Sequence, residues 1–190
     1  MDHPCICNPF CSALDIDTRQ ELCRHVIVTS QKPKEFTSSH GHEQIEIIAE
    51  GIMLMFTLSE DGDQQSVEVV RPGDLVGTHH FARKKDYPEC HMLSLTYVKK
   101  CIFPVSVIEH LFQENHAFAY TLLQNIADRH VRNSMHWVKM HAMKSDEKVV
   151  YIYRLLEGEG VDMTRITQDD LALISGVSRI SVARAMKKIY

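Results

Sequence analysis

No apolar run in the 190 residues approaches the length of a membrane span. The opening residues Met1-Asp2-His3-Pro4-Cys5 lack the basic and apolar segments of a secretory signal. The expected setting is therefore the cytoplasm, with no membrane partner, where the six cysteines stay reduced and open to metal or redox chemistry. An excess of positive charge is missing too. The formal net charge of -4 excludes indiscriminate coating of nucleic acid, so any contact with DNA has to come from a local basic surface. Nor do the ordered stretches assemble a nucleophile, a base and a group to orient it. The clustered side chains are of metal-ligand type, and the expectation is a protein that is not an enzyme. A chain of this length can still bury a sizeable core, in one large or two small domains.

What is present is most informative at the end of the chain. From Ser178 onward there is no Asp or Glu, while Arg179, Arg184, Lys187 and Lys188 supply cations. Just upstream, Thr167 is a good helix N-cap, Leu171, Ala172 and Ile174 give a short helix one apolar face, and Ser175-Gly176-Val177 breaks it. Gly176 can take the left-handed conformation of a tight helix-to-helix turn. Ser178 then caps a second helix in which Val182, Ala185, Met186 and Ile189 recur at core spacing, opposite Arg179, Arg184 and Lys187. These are the parts of a helix-turn-helix whose second helix enters the major groove of double-stranded DNA. The plainer reading, a terminal pair of packing helices with a solvated basic face, does not need so constrained a spacing from Ala172 through Gly176 to Val182.

Earlier in the chain, Cys5, Cys7 and Cys11 bring three thiols close together in sequence. Residues 17–28 are expected to form a short helix running into an apolar stretch, with Leu22, Val26 and Val28 in the core. Strands are expected at 44–49, 52–58, 66–70, 93–98 and 100–103, with alternation clearest at Ile52, Leu54, Phe56 and Leu58. Asp61-Gly62 marks a hairpin and Pro72-Gly73-Asp74 another turn, so 32–104 reads as an antiparallel β unit. A short helix over 105–112 precedes a long helical pattern over 117–142. Its length, about 39 Å, exceeds what a small domain needs for itself. The stripe Leu123, Ile126, Ala127, Val131, Trp137 and Val138, interrupted by His130 and Ser134, is expected to form a seam with a second copy of the chain. Burial against the chain's own β unit is the alternative. Met143-Lys144 is a candidate hinge, Ser145-Asp146-Glu147-Lys148 opens a helix over 149–156, and Gly158 and Gly160 precede the terminal motif. The expected organisation is a sensing domain over 1–116, a dimerisation helix over 117–142 and a DNA-binding domain over 145–190.

In this order of parts the chain resembles the CRP/FNR superfamily of bacterial transcription regulators. Glu50-Gly51-Ile52, Asp61-Gly62 and the run Arg71 to Gly77 are similar to the glycine pattern of that family's β-roll, and Gly176 to Arg184 is similar to its recognition-helix signature. The resemblance implies an α+β fold: an N-terminal antiparallel β-roll (a cupin-like jelly roll), a long dimerisation helix and a C-terminal winged helix-turn-helix. The sequence ends at Tyr190, where the wing is expected to be missing. A homodimer acting on DNA, with RNA polymerase as a partner, is implied. Contacts to DNA would come from Thr167, Gln168, Ser178, Arg179, Ser181, Arg184 and Lys187. Arg179 and Arg184 match positions that meet base edges, and each can hold a guanine bidentately, worth about 1–3 kcal/mol of discrimination. Ile180 stands where many relatives carry a glutamate; it can touch a thymine methyl but cannot accept from cytosine.

The same resemblance bears on the signal. Cyclic-nucleotide binders carry a ribose-binding glutamate and a phosphate-binding arginine pair where this chain has Thr78 and Pro88-Glu89. A buried phosphate beside a carboxylate and without its arginine is strongly disfavoured, so cyclic AMP is not the expected effector. Cys101 matches the internal ligand of the iron-sulfur members, and Cys5, Cys7 and Cys11 would complete a 4Fe-4S cluster that reads redox state, oxygen or nitric oxide. Their spacing is tighter than in those members, and Cys23 can stand in for one of them; buried small residues are the plainer reading. Alternatively, His79 lies where a carbon-monoxide sensor of the family has a haem ligand, His40-Gly41-His42 could join a zinc site, or a small organic ligand binds inside the β-roll. Two function classes follow: an effector-gated homodimeric regulator, or a redox or haem protein with a vestigial DNA-binding end. The acid-free cationic face favours the first.

Overall fold

A computed structural model describes residues 8–38, 44–58, 64–81 and 89–188. Cys5, Cys7, His40-Gly41-His42, Asp61-Gly62, Pro88 and Ile189 lie outside the described residues. Helices α1 (Pro9–Ser12) and α2 (Ile16–Cys23) are N-capped by Asn8 and Asp15, whose side chains accept from Cys11 and Thr18 N–H groups. Eight strands follow among the described residues: β1 (Ile27–Gln31), β2 (Phe36–Ser38), β3 (Gln44–Glu50), β4 (Met53–Leu58), β5 (Gln64–Val70), β6 (Leu75–Val76), β7 (His91–Ser94) and β8 (Val98–Pro104). All pair antiparallel, in two four-stranded sheets ordered β1-β8-β3-β6 and β2-β7-β4-β5. Then come α3 (Val105–Glu114), α4 (His116–Ala142), α5 (Ser145–Gly158), α6 (Gln168–Ser175) and α7 (Arg179–Met186). No helix among the described residues is long and apolar enough to cross a membrane.

The apolar residues form three layers. Ile48, Val76 and Val98 from one sheet meet Met53, Met55, Val70 and Met92 from the other, filling the roll. Beneath the first sheet, Ile45, Ile47 and Phe103 pack on Phe10, Leu22, Ile108, Leu111, Phe118 and Leu122. Outside the second sheet, Ile52, Leu54, Phe56 and Val69 share a core with Val149, Ile152, Leu156, Leu171, Ile174, Val182 and Ala185 of the last three helices.

This layering alters several local expectations. The alternating residues of β4 do share a face, but the strand is buried on both sides, because Met53 and Met55 point into the roll while Leu54 and Phe56 point at the helices. Leu58, the last member of the alternation, is exposed. Val28 is not in the core: it lies on β1, an edge strand, and is exposed. The single strand expected over 93–98 is broken at Leu95, whose N–H turns to the carbonyl of Ile52. Helix α5 begins at Ser145 rather than 149, since the Glu147 carboxylate accepts the Lys144 N–H at 2.8 Å and starts the helix early.

Helix α4 presents a polar face inward. Asn125 donates to the Gly73 carbonyl at 2.9 Å, and Arg129 donates to the buried Glu68 carboxylate at 2.7 Å. Asn133 also donates to Glu68, Arg129 reaches the Leu75 carbonyl, and Arg132 bonds Asp74 at 2.5 Å. Asp74 in turn accepts the Arg71 N–H at 2.9 Å. The helix is thus fastened to the turn between β5 and β6 by charge rather than by its apolar stripe. All eight stripe residues, Leu123, Ile126, Ala127, His130, Val131, Ser134, Trp137 and Val138, are exposed in the single chain.

Replacing Glu68 by Ala strands two inward-facing donors of α4, Arg129 and Asn133, and should lower stability by about 3–5 kcal/mol in urea denaturation. Glu68→Gln, which keeps an acceptor, should lose less.

Candidate nucleic-acid interface

The terminal motif is built by short-range hydrogen bonds. Thr167 accepts the Asp170 N–H at 3.1 Å while Asp170 accepts the Thr167 N–H at 2.7 Å, a reciprocal cap for α6. At the other end Gly176 adopts φ +63°, and the Val177 N–H returns to the Ala172 carbonyl at 3.2 Å. Ser178 caps α7 by accepting the Ser181 N–H at 3.3 Å, and the two serine hydroxyls are 3.1 Å apart. Val182 and Ala185 are fully buried against α5 and α6, which fixes the rotation of α7 about its axis. The side chains opposite them are therefore held in place.

Arg179, Arg184 and Lys187 are exposed, as are Thr167, Gln168 and Ser178; Ser181 is half-buried beneath its cap. Ile180 is 77% exposed. Ile180, Arg184 and Lys187 follow one another at i, i+4 and i+7, a single stripe along α7. Two acidic neighbours come from other helices. Asp169 of α6 lies 3.3 Å from Arg179, both widely exposed, a pair worth at most ~1 kcal/mol. Asp146 of α5 pairs with Lys188 at 2.6 Å. The Lys188 hydrogen bond, outweighing burial and aided by the charges of Lys188 and Arg184, holds the Asp146 carboxyl below its usual range. Lys188 thus ties α7 to α5 and is not part of the outward face. The acid-free tail seen in sequence has acidic neighbours in space.

Two further ion pairs, invisible in the sequence, attach this unit to the β-roll. Lys34, in the turn before β2, pairs with Asp170 at the start of α6, and Arg71 at the end of β5 pairs with Glu159 at 2.7 Å. Burial acts to raise the Asp170 pKa, but hydrogen bonds from Lys34 and Thr167 outweigh it and hold the group below the usual carboxylate range. A depressed carboxylate stabilises the fold above its unfolded pKa, and that contribution is lost as pH falls through the folded value.

The candidate sensing residues lie elsewhere. Cys11 is buried in α1 and Cys101 is half-buried on β8, both bordering the apolar layer beneath the first sheet. The Asn8 amide donates to the Cys11 sulfur at 3.3 Å. Cys23 is half-buried at the end of α2. His79 sits on a 3₁₀ turn, Thr78–Phe81, with its ring 4.3 Å from that of His80. Burial, then the neighbouring His80, lowers the His79 pKa. The space beside it, bounded by Ser38, Glu46, Val76 and Met92 among others, is about 40 Å³. A haem there requires that wall to open.

Because nothing lies within 4 Å of a Cβ built at Gly176, its replacement is penalised by backbone conformation alone. Gly176→Ala should destabilise by about 1–2 kcal/mol in thermal or urea unfolding, and Gly176→Asn by less.

No family profile matches the chain, and no curated protein is significantly similar to it in sequence. Solved structures are. A regulator from Eubacterium rectale described as of the CRP/FNR family superposes with a TM-score of 0.74 at 13% identity, covering 95% of this chain and 86% of that one. The c-di-GMP responsive global regulator CLP of Xanthomonas campestris gives 0.72 at 14% identity, covering 92% and 91%. A CRP-family transcriptional regulator of Thermus thermophilus gives 0.70 at 15%, covering 85% and 83%. At such identities the likeness is one of architecture, and it spans the roll, the long helix and the terminal helix pair together: the chain has the fold of the CRP/FNR-family transcription regulators.

Proposed function

We propose that the protein is a homodimeric, effector-gated, sequence-specific DNA-binding transcription regulator of the cytoplasm. The observation that carries this reading is the rigid placement of α7: Val182 and Ala185 are fully buried, so Arg179, Ile180, Arg184 and Lys187 are presented outward on a helix that cannot turn. Laid in a major groove, Arg179 and Arg184 reach base edges, Ile180 meets a thymine methyl, and the N-terminus of α6 with Thr167 and Gln168 faces the backbone. The exposed apolar stripe of α4 supports a parallel seam with a second copy, which sets two recognition helices about one DNA turn apart. RNA polymerase is the proposed downstream partner.

For the signal, Cys11 and Cys101 border one apolar layer, which supports a thiol-based redox, oxygen or nitric oxide input. Together with Cys5 and Cys7 they would hold a 4Fe-4S cluster, a group that supplies oxygen sensitivity when bound. Cyclic AMP is disfavoured at the small cavity of the roll, because no arginine is among its described lining residues and Glu89 accepts from the lining Ser38 hydroxyl at 2.5 Å.

Three measurements test these assignments. Arg184→Ala should weaken binding to a selected operator by about 1–3 kcal/mol and relax preference at one base pair, while Lys187→Ala should weaken all duplexes alike and lower the salt slope by about 1. The double variant Val131→Glu, Val138→Glu should convert a dimer to a monomer in light scattering and abolish two-half-site binding. An anaerobic absorption spectrum with iron and sulfide assays should show a broad shoulder near ~400 nm that bleaches in air. A sharp Soret band would transfer the role to haem and His79, and a colourless, iron-free protein to a small organic ligand or to thiol oxidation.

A further inference from the structure

A second cavity, of about 200 Å³, opens where the roll, the long helix and the DNA-binding unit meet. Arg132, His136 and Lys139 line it from α4 at i, i+4 and i+7, Arg71 from the end of β5, and Tyr151 and Leu155 from α5. It lies apart from the recognition helix, the α4 stripe and the roll interior.

The polar lining is cationic and incompletely satisfied. Arg132 spends one end of its guanidinium on Asp74, yet its Nε–H is buried with no hydrogen-bond partner among the described residues. The Arg71 Nε itself lies 2.7 Å from a Glu159 carboxylate oxygen, so this guanidinium is already paired on the side that carries that nitrogen. The Arg132 guanidinium is thus held by a carboxylate at one end while its Nε–H is left over, and a buried donor without a partner costs about 1–3 kcal/mol. Around the cavity three cations (Arg71, Arg132, Lys139) face two carboxylates (Glu159, Asp74), leaving one positive charge in excess. The apolar remainder includes Val69 and Leu155, and the rings of His136 and Tyr151 lie 5.5 Å apart at 32° with His136 Nδ1 3.2 Å from the phenol oxygen.

We propose that this cavity binds a small organic anion, a phosphate or carboxylate on a ring-sized apolar body, and that the bound anion braces the DNA-binding unit against the roll and α4. Oxygen atoms of the ligand would take the spare Arg132 Nε–H and Lys139 beside the charge of Arg71, and its body would lie against Tyr151 and Leu155. Binding follows from the cavity itself; only the effect on DNA rests on the regulator reading.

His136 reports occupancy. Burial first, then the charges of Arg71 and Lys139, hold its pKa below the ordinary histidine value. A bound anion opposes those charges, so the His136 pKa should rise on binding and affinity should increase as pH falls. Arg132 and Tyr151 also face the ring, with Glu159 and Asp74 behind the two arginines.

The test is imidazole NMR of the full-length protein, with the His136 signal identified by its loss in His136→Asn. Phenyl phosphate, benzoate and neutral phenol are titrated separately into the millimolar range. The expected result is a saturable shift and a raised His136 pKa with at least one of the two anions and not with phenol, weakened several-fold by the surface change Lys139→Gln. Tighter binding of phenyl phosphate than of benzoate assigns the phosphate class, and the reverse order the carboxylate class. No saturable shift with either anion, an equal response to phenol, or indifference to Lys139→Gln overturns the site. DNA binding measured with and without the better anion separates the two ideas: a protein that binds the anion but no DNA keeps the site and sinks the regulator reading.

Discussion

Two carboxylates hold the long helix to the roll, and most of the geometry that matters follows from them. Glu68 and Asp74 stand at the end of β5 and in the turn after it, where Arg129, Arg132 and Asn133 of α4 converge on them. The turn is itself anchored, because the Gly73 N–H bonds the Ile48 carbonyl at 2.7 Å and the Ile48 N–H bonds the Asp74 carbonyl at 3.1 Å. Desolvating such charges consumes much of what their attraction returns, so the network adds little net stability. Its effect is positional. A polar face that must meet particular acceptors fixes the rotation of a helix more tightly than an apolar face sliding on an apolar surface. With the inner face fixed, the direction of the outer stripe from Leu123 to Val138 is fixed as well.

The second constraint is the double burial of β4. Alternate residues of one strand belong to two different cores: Met53 and Met55 to the interior of the roll, Leu54 and Phe56 to the layer shared with α5, α6 and α7. Any rearrangement inside the roll that moves this strand is felt directly by the helices that seat α7. The Lys34–Asp170 and Arg71–Glu159 pairs reinforce the same junction from its rim.

What could be read from the sequence was what short-range chemistry decides. Thr167, Gly176 and Ser178 each act within four residues, so the caps and turn of the terminal motif were legible, as was the period of α4. The short strands β1, β2 and β6 were not, since two to five residues carry no period and acquire strand geometry only from the neighbours they pair with. The same limit applies to charge. An acid-free run after Ser178 was visible, but Asp169 and Asp146, which stand beside Arg179 and Lys188, are brought there by folding. Arg129, Arg132 and Asn133, which lie off the α4 stripe, were the sequence sign of an inward ionic face, but only the fold shows the carboxylates they meet.

Sharing a strand between two cores also has a consequence for how the molecule comes apart. Separating the terminal helices from the roll would leave Leu54, Phe56 and Val69 facing water, and melting the roll would strip α6, with Leu171, of the β5 floor on which it rests. Neither half has an inexpensive partly unfolded form. The single chain should therefore lose its structure in one calorimetric transition, and the extended link at Met143 should yield to proteases only as fast as the whole molecule opens.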